Sequence, residues 1–423
     1  MFAPLLAALA LTASWPQTGE AIPDEDHFAE QVRAVAEDGQ VRRAVRALSG
    51  MAERSNADLV AITEVPAPPF AEGPRADLFA AMLAETGFGE VGKDAVGNVI
   101  ARRPGRTGER TIAVLAHLDT VFPEGTDVTV RREGDTFIAP GIGDNSRGLV
   151  VLLELARAIE EARLETDADI LLVGNVGEEG LGDLKGVRHL FADGADPISA
   201  LIAVDGGETA RLVTDAVGSL RYRVRFEGPG GHSWSDFGAP NPHHALGRAI
   251  TNLDEAGAKI TGEGPKSSYS VGIVRGGTSV NSIPFESVMQ VDMRSGDPAK
   301  LAALDEAFRA AMQAALDEEN ADAATPLTLT LEPIGDRPAG RGDRAAPLVQ
   351  RAAAALRTIG VTPRPVASST DANIPLSLGI PAVTMARGGV SEGAHSKAER
   401  WTDEDSQRAT EAILLTLLAE AGY

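Results

Sequence analysis

The chain has 423 residues, of which 43% are hydrophobic and 24% are charged, so it is long enough for about two globular domains. Its 61 acidic residues outnumber its 39 basic residues and give a net charge of −22, a field that repels phosphate backbones and argues against a nucleic-acid partner. Cysteine is absent, which excludes disulfides, thiol nucleophiles and thiolate metal ligands and leaves His, Asp and Glu to bind any metal ion.

The N-terminal segment from Phe2 to Ala13 is apolar but too short to span a bilayer. A polar stretch with proline and glycine follows it, as in a secretory signal peptide, although no Lys or Arg precedes the apolar run. We therefore predict a signal peptide in residues 1–22 and a periplasmic or secreted protein. The alternative is an apolar helix of a cytoplasmic protein. No other segment reaches the roughly 20 apolar residues of a transmembrane helix.

The next part of the chain predicts helices followed by an α/β pattern. Residues 27–55 and 75–86 have apolar residues at helical spacing, and three short apolar runs come after them. These runs alternate with helical patterns, which indicates a parallel or mixed sheet. We predict an α/β fold with a mixed central sheet covered by helices on both faces. The apolar runs are Thr111 to Ala116, Asp169 to Val176 and Ser199 to Val204, and the clearest helix is Ser146 to Ala162.

A second domain is predicted from residue 215, where polar and apolar residues begin to alternate. The predicted elements from there follow the order βαββαβ, which indicates an α+β open-faced sandwich. The chain then returns to a helix, a strand and a closing helix. We therefore predict an α/β domain of residues 23–214 and 334–423, interrupted by an inserted domain at 215–333.

Each of the three apolar runs leads into a residue that can bind a metal ion. His117 and Asp119 follow the first run, the pair Glu178-Glu179 follows the second, and Asp205 follows the third. In open α/β sheets, ligands bind beyond the carboxyl ends of the strands, so we expect these side chains to meet at one edge.

His117 and Asp119 are expected to act together, because residues i and i+2 of an extended backbone point to the same side. Asp119 would accept a hydrogen bond from the imidazole nitrogen that faces away from the metal and so fix the tautomer.

Asp144 lies in Gly141-Ile142-Gly143-Asp144-Asn145, just before a predicted helix. An N-cap role would explain an aspartate there without a metal. The flanking glycines indicate more, because they allow the backbone a close approach to another group. A carboxylate with two free oxygens is also a natural bridge between two cations.

The glycine-flanked pair Glu178-Glu179 offers two neighbouring carboxylates whose side chains diverge. We predict that Glu179 is a metal ligand and that Glu178 is the general base. His395, in a glycine-rich loop after the last strand, would supply a second imidazole to a two-metal site.

An ordered set of motifs resembles the dinuclear zinc exopeptidases and deacylases, the family that includes glutamate carboxypeptidase, peptidase T and the aminoacylases. The resemblance extends from about Ala61 to the end of the chain. The motifs are His-Leu-Asp-Thr-Val (117–121), Gly-Asp-Asn (143–145), Gly-Glu-Glu-Gly (177–180), Val-Asp-Gly-Gly (204–207) and Ala-His-Ser-Lys-Ala-Glu-Arg-Trp (394–401).

This resemblance implies two divalent cations per chain, zinc with cobalt or manganese as alternatives. One ion would lie on His117 and Asp205 and the other on Glu179 and His395, with Asp144 and a water between them. A cis peptide after Asp144 is implied as well.

The inserted domain is implied to be a lid and dimerisation domain, which predicts a homodimer. Gly-Gly-His-Ser (230–233) resembles the segment whose histidine reaches the neighbouring subunit's active site, where His232 would stabilise the oxyanion; the alternative for His232 is a turn residue. Asn281 and Arg294 resemble binders of the substrate carboxylate, although Arg294 could equally form a salt bridge within the lid.

The expected function is metal-dependent hydrolysis of peptide or amide bonds, by an exopeptidase of the carboxypeptidase or tripeptidase type acting on small peptides. An N-acyl amino acid deacylase using the same centre is the alternative. A non-catalytic binding protein of the same fold is disfavoured, because all five ligands and Glu178 are present.

Overall fold

A computed structural model describes Ile22 and residues 25–423. Apart from Ile22, the segment with the predicted signal peptide lies outside these residues. In the described part of the chain, no helix has both the length and the apolar character needed to cross a bilayer.

The described residues form eleven α-helices and nineteen strands. The helices are α1 (Asp26–Glu37), α2 (Gly39–Gly50), α3 (Ala52–Thr63), α4 (Gly73–Ala84), α5 (Gly148–Ala162), α6 (Lys185–Leu190), α7 (Pro242–Thr261), α8 (Pro298–Asn320), α9 (Pro347–Thr358), α10 (Asn373–Ser377) and α11 (Ser406–Ala421). The strands are β1 (Glu90–Lys93), β2 (Val99–Arg103), β3 (Thr111–His117), β4 (Arg131–Glu133), β5 (Thr136–Ile138), β6 (Asp169–Asn175), β7 (Ala200–Val204), β8 (Arg211–Ala216), β9 (Gly218–Glu227), β10 (Gly231–His232), β11 (Ser267–Gly276), β12 (Ser282–Ile283), β13 (Glu286–Ser295), β14 (Thr328–Arg337), β15 (Gly340–Arg341), β16 (Arg364–Ser368), β17 (Ala382–Met385), β18 (Val390–Glu392) and β19 (Arg400–Thr402).

The main sheet is mixed and has the strand order β1-β2-β6-β3-β7-β17-β8-β15, with β16 also paired to β8. Its centre is parallel, because β6, β3, β7 and β17 pair in the same direction. The flanking pairs of β2 with β6 and of β17 with β8 are antiparallel. The three apolar runs of the sequence are therefore adjacent strands in the middle of this sheet.

Helices cover both faces of the main sheet. On β3, Ile112 and Val114 belong to the larger apolar core, which also includes residues of α5, α9 and α11. The alternate residues Ala113 and Leu115 belong to a smaller core on the opposite face, together with residues of α6 and α10. Every residue of β3 is buried, as expected for a strand packed on two sides. The predicted α/β fold is confirmed.

The second sheet is antiparallel, with the order β11-β13-β9-β14. Alternate residues of β9, namely Tyr222, Val224 and Phe226, are buried in a separate core that also contains residues of α7 and α8. The residues between them are only partly buried and form the polar face of the sheet. One face is therefore packed by helices and the other is open, which is the arrangement of an open-faced sandwich.

Some boundaries were not predicted from the sequence. The helical region 27–55 is broken at Asp38, whose side chain accepts hydrogen bonds from the N–H groups of Gln40 and Val41 and begins α2. The four-stranded sheet β18-β19-β5-β4 is also absent from the predictions, because each of its strands has only three residues and no clear alternation.

Candidate metal centre

The parallel centre of the main sheet brings the predicted ligands to one edge. His117 is the last residue of β3, Asp205 directly follows β7, and the Glu178-Glu179 turn lies just beyond β6. Parallel strands end at the same edge, so these side chains meet there. The backbone N–H of Asp205 also bonds to the carbonyl of Met385 at the end of β17, at 2.9 Å.

The five predicted ligands and Glu178 lie in one cluster. Their imidazole nitrogen and carboxylate oxygen atoms form three overlapping groups. Within each group, the ligand atoms lie within 4.8 Å of one another. The groups are His117, Asp144 and Asp205; His117, Glu178 and Glu179; and Asp144, Glu179 and His395.

Asp144 lies between the two imidazoles. Its Oδ1 is 3.3 Å from Nε2 of His117, and its Oδ2 is 3.3 Å from Nε2 of His395. Two ligands on a tetrahedral zinc ion, each at about 2.0–2.1 Å, are separated by roughly 3.3–3.4 Å. The two carboxylate oxygens therefore have the spacing needed for one ion on each side, and this donor set of imidazole nitrogen and carboxylate oxygen suits zinc, with cobalt or manganese also acceptable.

His117 is oriented by the backbone and side chain of Asp119. Its Nδ1 is 3.0 Å from the Asp119 carbonyl oxygen and 3.5 Å from the Asp119 carboxylate, so the ring donates from Nδ1 and directs Nε2 at Asp144. The carboxylate expected to orient the ring accepts from the backbone N–H groups of Glu178 and Glu179, at 3.0 and 2.7 Å. Asp119 thus connects the ends of β3 and β6.

Glu399 holds the loop that carries Asp144 through hydrogen bonds to the loop backbone. This buried carboxylate accepts hydrogen bonds from the N–H groups of Gly141, Gly143 and Asp144, at 2.8 to 3.0 Å. Gly141 has a φ of 77°, and a Cβ atom there would lie 2.6 Å from the Thr120 side chain, so glycine is required. The peptide between Asp144 and Asn145 is cis, as the resemblance implies.

Glu179 and His395 form the other side of the cluster. Nε2 of His395 is 2.9 Å from Oε1 of Glu179, although the two residues are distant in the sequence. The His395 side chain is about half exposed, whereas Glu179 is buried. His395 also has a left-handed backbone with a φ of 65°, which is uncommon for a residue other than glycine and typical of functional sites.

The carboxylates of the cluster raise the pKa of both of its imidazoles. Burial disfavours a charged His117, but the carboxylates of Asp119 and Asp144 outweigh it and raise the pKa of that imidazole well above its usual value. The same carboxylate of Asp144, together with Glu179, raises the pKa of His395 to about 10. The carboxylates thus favour positive charge between them, which a bound cation would provide.

Glu178 is buried and has an unusual pKa for a carboxylic acid. Burial raises the pKa of Glu178 well above its ordinary value, and the Arg337 guanidinium opposes this shift without cancelling it. Arg337 donates from Nη1 to Oε1 of Glu178 at 3.0 Å, and its other terminal nitrogen contacts the Glu178 carbonyl oxygen. A buried carboxyl group with a raised pKa holds a proton more readily than a free one, which suits general acid–base chemistry.

Among the described residues, the three predicted site residues of the inserted domain do not join the cluster within one chain. His232 and Asn281 are exposed, and Nδ1 of His232 accepts hydrogen bonds from the N–H groups of Trp234 and Ser235. Arg294 donates from Nε to Asp292 at 2.7 Å, which is the lid salt bridge left open above. Asp292 also binds Arg221, whose Nη1 donates to the carbonyl of Gly180 at 2.7 Å, so three successive contacts connect Arg294 with the Glu179 turn.

A sequence model of peptidase family M20/M25/M40 matches residues 113–419 of the chain. The chain belongs to this family. As a member of the M20 family it is a hydrolase, and metal dependence is typical of such enzymes.

Several known proteins resemble this chain over most of its length. Carboxypeptidase G2 from Pseudomonas sp. (strain RS-16) is 25% identical over 322 residues, which cover 72% of this chain and 72% of that protein. The structure of aminopeptidase PepT from Bacillus cereus ATCC 10987 superposes with a TM-score of 0.70 at 20% identity, covering 87% of this chain and 98% of the other. A hydantoinase/carbamoylase family amidase from Burkholderia vietnamiensis gives a TM-score of 0.66 at 20% identity, with 88% and 97% coverage.

Several charged residues around this M20 centre were not predicted. Arg337, Arg387 and Glu399 are buried against the ligands or the base, yet each is distant in the sequence from the side chain it contacts. Asp371 is buried too, where it accepts a hydrogen bond from Asn175 at 2.9 Å. Burial raises the pKa of Asp371 to about 7.

Proposed function

We propose that this chain is a dinuclear zinc exopeptidase that acts on small peptides. The observation that carries the proposal is the position of Asp144, with one carboxylate oxygen 3.3 Å from each of the two imidazoles. A single carboxylate with a histidine on either side is the arrangement expected for two ions that share one ligand. The His117 and Asp205 side would hold one ion, and the Glu179 and His395 side would hold the other.

Two bound cations would polarise the scissile carbonyl and lower the pKa of the attacking water. Glu178 would take the proton of that water and pass it to the leaving amine, because it belongs to the cluster without being needed as a ligand. Asp119 would keep His117 in the right tautomer, and its carboxylate would hold the turn that carries both Glu178 and Glu179. Arg337 would orient the carboxylate of the base.

The second sheet would act as the lid and bind the substrate carboxylate. Arg294 uses Nε for Asp292, and no hydrogen bond of its two terminal nitrogens is observed with the described residues. The end of this guanidinium is therefore available to a carboxylate, which it would bind with two hydrogen bonds. Asn281 would assist from its exposed loop. This assignment favours substrates with a free C-terminal carboxylate.

His232 is suited to stabilise an oxyanion in the active site of a partner subunit. Its Nδ1 accepts from the N–H groups of Trp234 and Ser235 at 3.2 and 3.4 Å, which leaves the proton on Nε2 as a donor. Large apolar side chains near this turn are exposed in the single chain, including Trp234 at 87% and Phe237 at 90%. Exposed apolar groups of this size are typical of an interface, and they support a homodimer.

An N-acyl amino acid deacylase is the alternative activity. The same centre would attack the amide bond of an acylated amino acid, and that substrate also has a free carboxylate. The similar proteins include a carboxypeptidase, an aminopeptidase and an amidase, so either substrate class agrees with them. The two activities differ in what lies on the amino side of the scissile bond.

The test combines metal counting with a matched substrate panel. Purified protein would be analysed for zinc and assayed on dipeptides, tripeptides and N-acetyl amino acids that share one C-terminal residue, with their C-terminal amides as controls. We expect about two zinc ions per chain, loss of cleavage on chelation, recovery with zinc, and preference for the free carboxylates. A protein that neither binds zinc, cobalt or manganese nor cleaves the panel would refute the proposal. Cleavage confined to the N-acetyl compounds would establish the deacylase instead.

A further inference from the structure

A buried arginine contacts the cluster on one side only. Arg387 follows β17 and is 2% exposed. Its Nη1 donates to Oδ1 of Asp205 at 2.8 Å and to Oδ1 of Asp144 at 3.2 Å, and it lies 3.4 Å from Oδ1 of Asn145. Its backbone N–H bonds to the carbonyl of Gly206 at 2.9 Å, which fixes the start of the side chain beside Asp205.

The two halves of the cluster therefore differ in charge. We call the group His117, Asp144 and Asp205 the Asp205 subsite, and the group Asp144, Glu179 and His395 the Glu179 subsite. Each has two carboxylates and one imidazole, but both carboxylates of the Asp205 subsite bond to Arg387. In the described part of the chain, no arginine or lysine is within ion-pair distance of Glu179.

Neighbouring charges increase this difference. The guanidinium of Arg211 lies against Gly206, where a Cβ atom would be 2.6 Å from its Nη1, so a second positive charge lies near Asp205. On the other side, the charge of Arg337 is offset by its ion pair with Glu178, and the charge of Arg221, which donates to the Gly180 carbonyl, is offset by its ion pair with Asp292. Glu399 also lies near Arg387, but its oxygens accept three backbone N–H groups of the Asp144 loop.

We infer that Arg387 is a positioning residue that makes the Asp205 subsite the weaker of the two metal sites, so that the ions bind in order and the ion at Asp205 is the exchangeable one. This inference rests on the proposed dinuclear centre. It concerns which ion binds first and why, and it gives Arg387 no part in bond cleavage.

Two physical effects act in the same direction. A guanidinium that donates to a carboxylate withdraws electron density from the oxygens, so they are poorer ligands for a cation. A fixed positive charge beside the subsite also repels a divalent ion, and burial strengthens that repulsion because water is excluded. Without an ion, Arg387 instead stabilises the site, since Asp144 and Asp205 would otherwise be two neighbouring carboxylates without a positive partner.

The test is a zinc-binding curve of the full chain, measured by equilibrating the protein with zinc-buffered solutions and counting the bound zinc by mass spectrometry. We expect two separate steps for the wild-type protein, with the second at a free zinc concentration at least tenfold above the first. Asp205→Asn should remove the second step and keep the first, whereas Glu179→Gln should remove the tight step.

Substitution of Arg387 tests the cause. Arg387→Met keeps much of the side-chain volume and removes the charge, so the second step should move at least tenfold to lower free zinc. Arg387→Lys keeps the charge and should leave the two steps apart. Arg157→Met is the matched control, because Arg157 forms an ion pair with Asp58 away from the cluster and removal of this charge should not change the curve.

The outcomes separate the inference from the function on which it rests. A wild-type protein that binds no zinc at any point of the curve would refute the dinuclear zinc centre and this inference with it. Two zinc ions in a single unresolved step would overturn the inference alone, and this result needs no variant. A second step that stays in place or moves to higher free zinc in Arg387→Met would also overturn it, because Arg387 would then only hold the loop. Thermal unfolding of the three arginine variants would report their folding separately.

Discussion

The metal-binding edge of the main sheet and the inserted domain differ in how firmly their functional side chains are held. At the metal-binding edge, His117, Asp119, Glu178 and Glu179 are all buried, and each bonds to a neighbouring strand or turn. On the lid, His232 and Asn281 are exposed, and Arg294 is held by a single ion pair. The proposed base and its neighbouring ligands are thus held within one chain, whereas the groups proposed to bind the substrate and to stabilise the oxyanion are less firmly held.

This difference indicates a division of labour between the lobes. Ligands on the ends of buried strands keep their positions before substrate arrives, which is what a metal centre requires. The exposed side chains of the inserted domain would be fixed by contact with a substrate or a second subunit. The lobes meet at the turn after Glu179, where Arg221 bonds to Gly180 and the N–H of Asp336 bonds to the Asp183 carboxylate at 2.9 Å.

If the metal-binding edge of the main sheet carries out bond cleavage, Glu178→Gln should lower kcat more than any other substitution considered. The amide has nearly the shape of the carboxylate but cannot accept a proton, so kcat should fall by about 10²–10⁴-fold. Zinc content should remain near that of the wild-type protein, because Glu178 is not a proposed ligand. Steady-state kinetics together with metal analysis would check this. A variant that keeps most of its activity would exclude Glu178 as the base.

His232→Ala tests whether the exposed lid turn is completed by a partner subunit. We expect kcat to fall by about 10²–10³-fold, because an oxyanion donor is lost, while the metal content is unchanged. The same substitution should not lower stability, since the side chain is exposed.

Mixing His232→Ala with Glu178→Gln makes this test sharper. Random exchange of subunits puts one intact site in half of the dimers, so about a quarter of the wild-type activity should return. Separate assays of each variant, treated in the same way, are the controls. If the mixture has only the sum of the two residual activities, His232 does not act across an interface.

Asp119→Asn should have a smaller effect, which we expect on metal affinity and not on the inserted domain. The amide can accept from only one of the two N–H groups of Glu178 and Glu179, so the turn is held less firmly. Loss of such an outer hydrogen-bond partner typically costs about 10–100-fold in metal affinity. Competition with a zinc chelator would measure this change. Wild-type affinity in the variant would show that the carbonyl of Asp119 is sufficient to orient the centre.

Arg294→Ala should have the smallest effect and should act on substrate binding alone. We expect KM to rise by about tenfold or more for substrates with a free carboxylate, with kcat nearly unchanged, because a uniform binding contact is lost. The matched C-terminal amides should be cleaved equally by both proteins. If KM for the free carboxylates does not change, Arg294 serves only as the salt-bridge partner of Asp292.

Sequence patterns determined the features that depend on short stretches of chain. The three apolar runs appear as the adjacent strands β6, β3 and β7, because continuously apolar segments must be buried on both faces of a sheet. A ligand directly after such a strand must lie at the sheet edge, so the convergence of His117, Glu179 and Asp205 followed from their positions alone. The alternation from Leu220 to Phe226 likewise predicted a sheet with one packed face.

Only the tertiary structure decided which charges stand around those ligands. Arg387 and Glu399 are more than 180 residues from Asp205 and Asp144, respectively, and nothing in their local sequence indicates a partner. Periodicity reports which face of an element is buried, but it does not report which distant side chain shares that space. Nδ1 of His117 lies 3.0 Å from a backbone carbonyl oxygen, a partner that no residue type reveals. The sequence alone therefore determined the identity of the ligands and their common edge, and the folded chain decided their electrostatic environment, because charges act through space and not along the chain.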